Sequence, residues 1–568
     1  MMSHFYILIA LCAAASTAFA APATAGRVHS APASIPTVWQ KGTAAPTSKS
    51  ITFNLIFKSR DAAGLEARML EIAESKSAWM TEDEIASYIV PSDAEKATVE
   101  TTLKNMGATG FSYSRNGDTL TVTSTIGQAS KFFDAQFSEY SNTKISGVFY
   151  KTTQFTVPAS IEAQIADVSP FATFGDVKHF GRKSYIRKQE PPKLEKRGTP
   201  ASCNTSTVTP ACVRSLYAFD TYTPTTSTGT ARLGIMAYFG QSLLASDLTT
   251  YLTMFRPEAS SYTIPVTAID GAVNSGAGDE ADLDTQTAAA IIYPLPAGFY
   301  DYGTLSSASG DVFLGTFQYF LNLTASDRPS VITISYGSFE SEYTASQASS
   351  MCTAAQQLSA AGMTIVVAAG DYGVGGFLGF SCPAFVPTYP SGCPYLLTVG
   401  ATQNFSPEVM ADSSLAGFSS GAGFSNIFPT PSYQTSVVAA YESELGTTDS
   451  GYYNRSGRAF PDVSAQGSQQ PLIYNGNYYI VGGTSASAPI VASGLTLLND
   501  LLITAGKATV GWANPTFYAN PSAFTDVTSG GSYSCASTSY GLPAETGWDA
   551  SAGWGTPDLT KLRTVYGV

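Results

Sequence analysis

The chain has 568 residues, 44% of them hydrophobic and 13% charged, with 30 Lys and Arg against 43 Asp and Glu and a formal net charge of −13. Of the basic residues 21 lie at or before Arg197, against 18 of the acids, so the segment after Arg197 carries 9 bases and 25 acids. That excess of negative charge argues against nucleic acid as a partner, because a polyanion is held through clustered Lys and Arg, and it falls in acid as carboxyls protonate.

Residues 1–20 join the apolar run FYILIALCAAA to Ala18-Phe19-Ala20, the pattern of a secretory signal cut before Ala21. No later stretch reads as the roughly 18 consecutive apolar residues of a membrane span, so a secreted, extracellular product with no membrane partner is expected. Cys12 leaves with the signal. The other six cysteines, Cys203, Cys212, Cys352, Cys382, Cys393 and Cys535, all follow Arg197, an even number suited to three disulfides in an oxidising compartment.

Apolar strands then alternate with helical patterns in SITFNLIF, DAAGLEARMLEIA, DAEKATVETTLKNMG, TLTVTSTI, GQASKFFDAQF and GVFYKTTQFTV. Residues 21–180 are read as a compact α/β unit with a small antiparallel sheet. Residues 181–197, rich in charge and proline, form a linker in which Lys196-Arg197 is a processing site. From 198 to 568 the pattern changes to buried strands, ARLGIMAYF, VITISYG, TIVVAAGD and LLTVGATQ, with the helical ASQASSMCTAAQQLSAAG between the second and third. Such alternation predicts a parallel sheet covered by helices on both faces.

The chemistry is set by what this later segment lacks. His4, His29 and His179 all precede the dibasic pair, so cleavage there leaves no imidazole, the commonest general base near neutral pH. Yet GGTSASAP puts Ser485 in a turn leading into IVASGLTLLNDLL, the setting of a nucleophilic serine. Its proton then has to go to a carboxylate, which works in acid as part of a shared-proton pair. In the helical GDEADLDTQTAAAIIY, Glu280 and Asp284 stand one turn apart on one face. Spacing equally allows Glu280 with Asp282, and acids at a helix start also simply complement its dipole. Asp371 closes TIVVAAGD at a strand end facing the crevice of a parallel sheet, as an oxyanion donor or a turn cap. Gly417-Phe418-Ser419-Ser420-Gly421 matches G-x-S-x-G, but that mechanism requires a histidine. The segment reads as an acid-active serine hydrolase.

These segments, in this order, resemble the sedolisins, serine-carboxyl peptidases with a subtilisin-like fold. The resemblance runs over nearly the whole chain after the signal and includes Ser335-Tyr336-Gly337, Phe418 to Ser425, and TYPSGCPYLLTVGAT. It implies a parallel sheet flanked by helices, preceded by a smaller antiparallel, ferredoxin-like α/β activation domain acting as inhibitor and chaperone. In it Ser485, with Pro489 behind, matches the nucleophile, Glu280 the base, Asp284 its partner and Asp371 the oxyanion residue. Tyr372 stands where the family commonly has Ser, at a position that lines the substrate cleft.

FTDVTSGG and ETGWDASAGWGTP resemble the family's site for one structural Ca²⁺. Asp526 and Asp549 match its carboxylate ligands, and Val527, Glu545 and Gly547 its main-chain oxygens, an all-oxygen shell suited to that ion. Glu545 replaces a common Gly. The short span suggests a Cys203–Cys212 disulfide, the resemblance implies Cys382–Cys535, and Cys352 would then pair with Cys393. Sequons stand at Asn204, Asn322, Asn404 and Asn454. The expected protein is a monomeric zymogen acting on peptides, releasing tripeptides from free N-termini. The alternatives are an endopeptidase of the same family and, more distantly, a non-catalytic binding protein on the same fold.

Overall fold

The computed structural model describes residues 26–179, 187–188, 203–224, 231–303, 310–376, 384–412, 416–534 and 541–568. The signal, Lys196-Arg197 and the Cys382–Cys535 pair lie outside them, whereas Arg187–Lys188, within the segment read as a linker, pairs antiparallel with Ile480 and Tyr479.

In the N-terminal unit a four-stranded antiparallel sheet runs in the order Gly110–Tyr113, Thr119–Thr125, Ser50–Phe57, Ile165–Ser169. Alternation explains it, since Leu120 and Val122 of TLTVTST pack inward with Phe53, Leu55 and Phe133. The helices Ala62–Ser75 and Asp93–Asn105 fall where the pattern predicts them. Glu82–Ile89 is an eight-residue helix that periodicity does not reveal, but its start is well encoded. Thr81 accepts the Glu84 N–H, and three acids occupy the first turn, where they complement the dipole.

This unit shares core with the larger C-terminal unit. Trp39, Tyr140, Phe149 and Phe174 bury with Tyr336, Met351 and Tyr389. Leu65, Met69 and Ile72 bury with Ala360 and Trp512.

The C-terminal unit is built on an eight-stranded sheet. Its order is Val266–Ile269, Ala297–Tyr302, Leu233–Tyr238, Val331–Ile334, Thr364–Ala368, Leu397–Gln403 and Val409–Met410, with Val463–Gln466 also paired to Leu397–Gln403. All pairings are parallel except that of Val409–Met410. The strand order reverses beside Leu233–Tyr238, so the crevice opens at the carboxyl ends of Leu233–Tyr238 and Val331–Ile334.

VITISYG, predicted as one strand, is two. The chain leaves the parallel sheet at Ser335, and Tyr336–Phe339 enters a separate antiparallel sheet between Lys178–His179 and Thr388–Tyr389. The helix Thr484–Thr504 runs along the main sheet and against the helix Asp279–Ile292. It is long and apolar enough to cross a membrane, contrary to the reading from composition, but its apolar surface is spent in the core. Two predicted disulfides are present, Cys203–Cys212 and Cys352–Cys393.

Candidate active site

Four elements converge at the carboxyl edge of the sheet. Ser485 is the second residue of the helix Thr484–Thr504, not in the turn before it, and is fully buried. Its Oγ has no hydrogen-bond partner among the described residues. Buried hydroxyls are normally paired, so an orphan here marks a group kept for something else.

The turn before Ser485 holds Asp371. Asp371 Oδ1 accepts the Thr484 N–H at 2.7 Å and the Thr484 hydroxyl at 2.9 Å. The same hydroxyl accepts the Gly370 N–H at 3.0 Å. With Oδ1 committed to two donors, a proton on this carboxyl belongs on Oδ2. Gly483 has to be glycine, because its φ is +158° and a Cβ would come within 2.6 Å of Asp371 Oδ2.

Glu280 and Asp284 lie in the first turns of the helix Asp279–Ile292, both almost fully buried. Gln241 seats the helix start, its Oε1 accepting the Glu280 N–H at 3.0 Å while its Nε2 donates to Asp279 at 3.1 Å. Gln286 fixes the other side, bonding both main-chain groups of Ile473. Burial raises the Asp284 pKa well above the usual aspartate value, and the charge of Glu280 raises it further, against a hydrogen bond from Ser335.

Geometry also chooses between the partners that spacing left open. Asp282 faces away, taking the Leu244 N–H at 3.2 Å and pairing with Asp247.

Ser335, at the end of its strand, joins the two helices. Its Oγ lies 2.9 Å from Asp284 Oδ1 and 3.3 Å from the Ser485 carbonyl oxygen. Pro489 accounts for the second contact. A helix carbonyl bonds the N–H four residues on, proline has none, and the Ser485 carbonyl is left for another donor. The sequence marks SYG as family-like and assigns Ser335 no part; a Ser breaking an apolar strand is the available signal.

The G-x-S-x-G stretch is structural. Ser419 Oγ accepts the Tyr533 N–H, Ser420 Oγ accepts the Ala401 N–H, and the backbone packs on the Asp371 turn.

At the C-terminal loops Asp549 is fully buried, its carboxylate accepting the N–H groups of Glu545, Ser551 and Ala552. Asp526 accepts the Gly547 N–H at 2.8 Å. Burial moves the Asp549 pKa up to about 8, the three N–H groups oppose that, and the charge of Asp526 adds to it. Asp526 is exposed and Asp549 buried, and two carboxylates close enough for one to raise the other's pKa are the donor type a hard cation takes. Val527 is buried beside them, and Glu545, at an exposed position, leaves its side chain outside.

A buried serine hydroxyl on a helix N-terminus, a coupled carboxyl pair and a subtilisin-like sheet define a serine-type peptidase. Residues 37–174 match the family model described as pro-kumamolisin, activation domain, and residues 305–510 match the subtilase family. Tripeptidyl-peptidase sed4 of Aspergillus fumigatus is 30% identical over 94% of this chain and 95% of its own length. A probable tripeptidyl-peptidase SED4 of Trichophyton verrucosum is 31% identical over 94% and 93%. The structure of Pseudomonas sedolisin, a serine-carboxyl proteinase, aligns with TM-score 0.49 and 24% identity over 64% of this chain and 98% of that one. The chain belongs to the sedolisin family of serine-carboxyl peptidases.

Proposed function

We propose that the mature protein is a secreted, acid-active peptidase that removes tripeptides from free N-termini, made as a zymogen that its N-terminal unit inhibits. The observation that carries this is the coupled pair Glu280 and Asp284 beside an unpartnered Ser485 hydroxyl, in a segment with no histidine. Ser485 Oγ attacks the scissile carbonyl carbon and its proton passes to Glu280. The Asp284 carboxyl stays protonated beside Glu280, so the pair holds one proton at the start of the step and two after it. As the tetrahedral intermediate collapses, Glu280 returns the proton to the leaving amine, and water hydrolyses the acyl-enzyme by the same route. Asp371, protonated on Oδ2, and the Ser485 N–H donate to the oxyanion. Because the pair must hold one proton and Asp371 another, activity belongs to acid.

Asp526 and Asp549, with main-chain oxygens of Val527, Glu545 and Gly547, would hold one Ca²⁺, which would brace the C-terminal loops. The tripeptide register rests on the relatives, which bear the name tripeptidyl-peptidase across 94% of this chain. The test is activated enzyme at acid pH with one peptide, free or acetylated at its N-terminus, and products read by mass spectrometry. Tripeptide ladders from the free peptide alone are expected. Internal cuts in both peptides would make it an endopeptidase instead.

A further inference from the structure

The N-terminal unit occupies the cleft in a way that displays a subsite. Lys178 and His179 pair antiparallel with Gly337 and Tyr336, on the strand that begins directly after Ser335. An extended peptide can add to the same edge once the N-terminal unit has gone, held by main-chain hydrogen bonds and read by alternate side chains. A chain in that register puts successive residues opposite Gly337, Tyr336 and Ser335. With the scissile carbonyl on the residue opposite Ser335, beside Ser485, the residue opposite Gly337 is third from the bond. In tripeptide release it is the N-terminal residue.

Lys178 shows what that position accepts. Its ammonium lies 4.6 Å from the centre of the Phe339 ring and 4.0 Å from Glu342 Oε1. Glu342 is held in place by the Ser338 hydroxyl and accepts the Asp176 N–H at 2.9 Å. Asp176, 3.2 Å from Lys178, leaves with the N-terminal unit, whereas Phe339 and Glu342 stay. The other charged groups facing this carboxylate, Asp176 and Lys178, both belong to the departing unit.

We infer that Glu342 and Phe339 form a cation subsite of the mature peptidase, binding an ammonium group of the substrate residue opposite Gly337, carried by its side chain or by its α-amine. The inference rests on Ser485 being the nucleophile. An aromatic face beside a carboxylate suits a cation, and the charge is set by the third residue from the cut, where it governs selection among substrates.

Four peptides of one sequence test it, with lysine or norleucine as that residue and each made with and without its α-amino group. Wild-type enzyme should favour the ammonium-bearing peptide in kcat/KM by about five- to tenfold, a preference that grows as pH rises through the active range, because burial raises the Glu342 pKa and a cation beside it opposes that shift. Glu342→Gln should bring that ratio close to one, and Phe339→Leu, which leaves the carboxylate in place, should lower it by about two- to threefold. Loss of the lysine-over-norleucine ratio assigns the side chain; loss of the ratio between α-amino and des-amino peptides assigns the α-amine. If neither ratio responds to either variant, or if the response belongs to a residue at another distance from the cut, the subsite is refuted. Cleavage that survives Ser485→Ala would instead refute the nucleophile.

Discussion

On the helix Asp279–Ile292, Asp284 faces Glu280 and the Ser335 hydroxyl, whereas Asp282, two residues earlier, faces Asp247 and the Leu244 N–H. Both aspartates are buried and burial raises both pKa values, that of Asp282 to about 8. A shifted pKa alone therefore does not separate a working carboxyl from a structural one. Surroundings do. Asp284 reaches, through Ser335, the main chain of an unpartnered serine. Asp282 pairs with Asp247 of the helix Ala245–Phe255, and Asp247 accepts the Gly476 N–H at 2.9 Å in the turn between the antiparallel strands Gln470–Tyr474 and Asn477–Val481.

The largest effect away from the pair itself is expected at Asp371, a third buried carboxyl and one proposed to work neutral. In Asp371→Asn the carbonyl can still accept from Thr484 while the amide donates where Oδ2 stood, at every pH. We expect kcat to fall by about 10- to 100-fold, less than the roughly 100- to 1,000-fold cost of removing an oxyanion donor, because the amide still donates. The alkaline limb of kcat/KM should move upward, partly, because the Glu280 and Asp284 pair still titrates. Full activity with an unshifted limb would put Asp371 with the structural carboxyls.

Asp549→Ala comes next, affecting stability and not chemistry. Its melting temperature should lie several degrees below wild type in saturating Ca²⁺ and should not respond to the ion, because an ion that binds only the folded state stabilises it by mass action. Equal melting temperatures in both proteins, with and without Ca²⁺, would remove the site.

The smallest effect is that of Asp282→Asn, seen in how stability changes with pH. The folded value of about 8 lies above the usual aspartate value of about 3.9, so between them the folded protein binds more protons than the unfolded one. Stability then falls as pH rises through that window. Asparagine should flatten the fall in melting temperature from about pH 4 to pH 8. An unchanged slope would mean that Asp282 does not hold a proton in the folded state.

Much of this was legible in the sequence because it is local. The run SITFNLIF forms the strand Ser50–Phe57, and GDEADLDTQTAAAIIY forms the helix that carries Glu280, Asp282 and Asp284. Glu280, Asp284, Asp371 and Ser485 were named from motif and order, and the fold brings them to one edge. What the sequence hid depends on contacts between distant segments. Which aspartate meets Glu280 is decided by Ser335 and Leu244, 51 and 38 residues from their partners. The break of VITISYG at Ser335 is imposed by two flanking strands that reach Tyr336–Phe339 from elsewhere in the chain. Periodicity carries no record of either.

The central claim, that a carboxyl pair does the work of the missing imidazole, is tested most directly by kcat/KM from pH 3 to 8 for the activated enzyme, Asp284→Asn and Asp282→Asn, with Ser485→Ala as the blank. The account predicts an acid bell for wild type, a loss of about 100-fold or more at every pH in Asp284→Asn, and a wild-type bell in Asp282→Asn. An Asp284→Asn enzyme that keeps both the height and the position of the bell would contradict it.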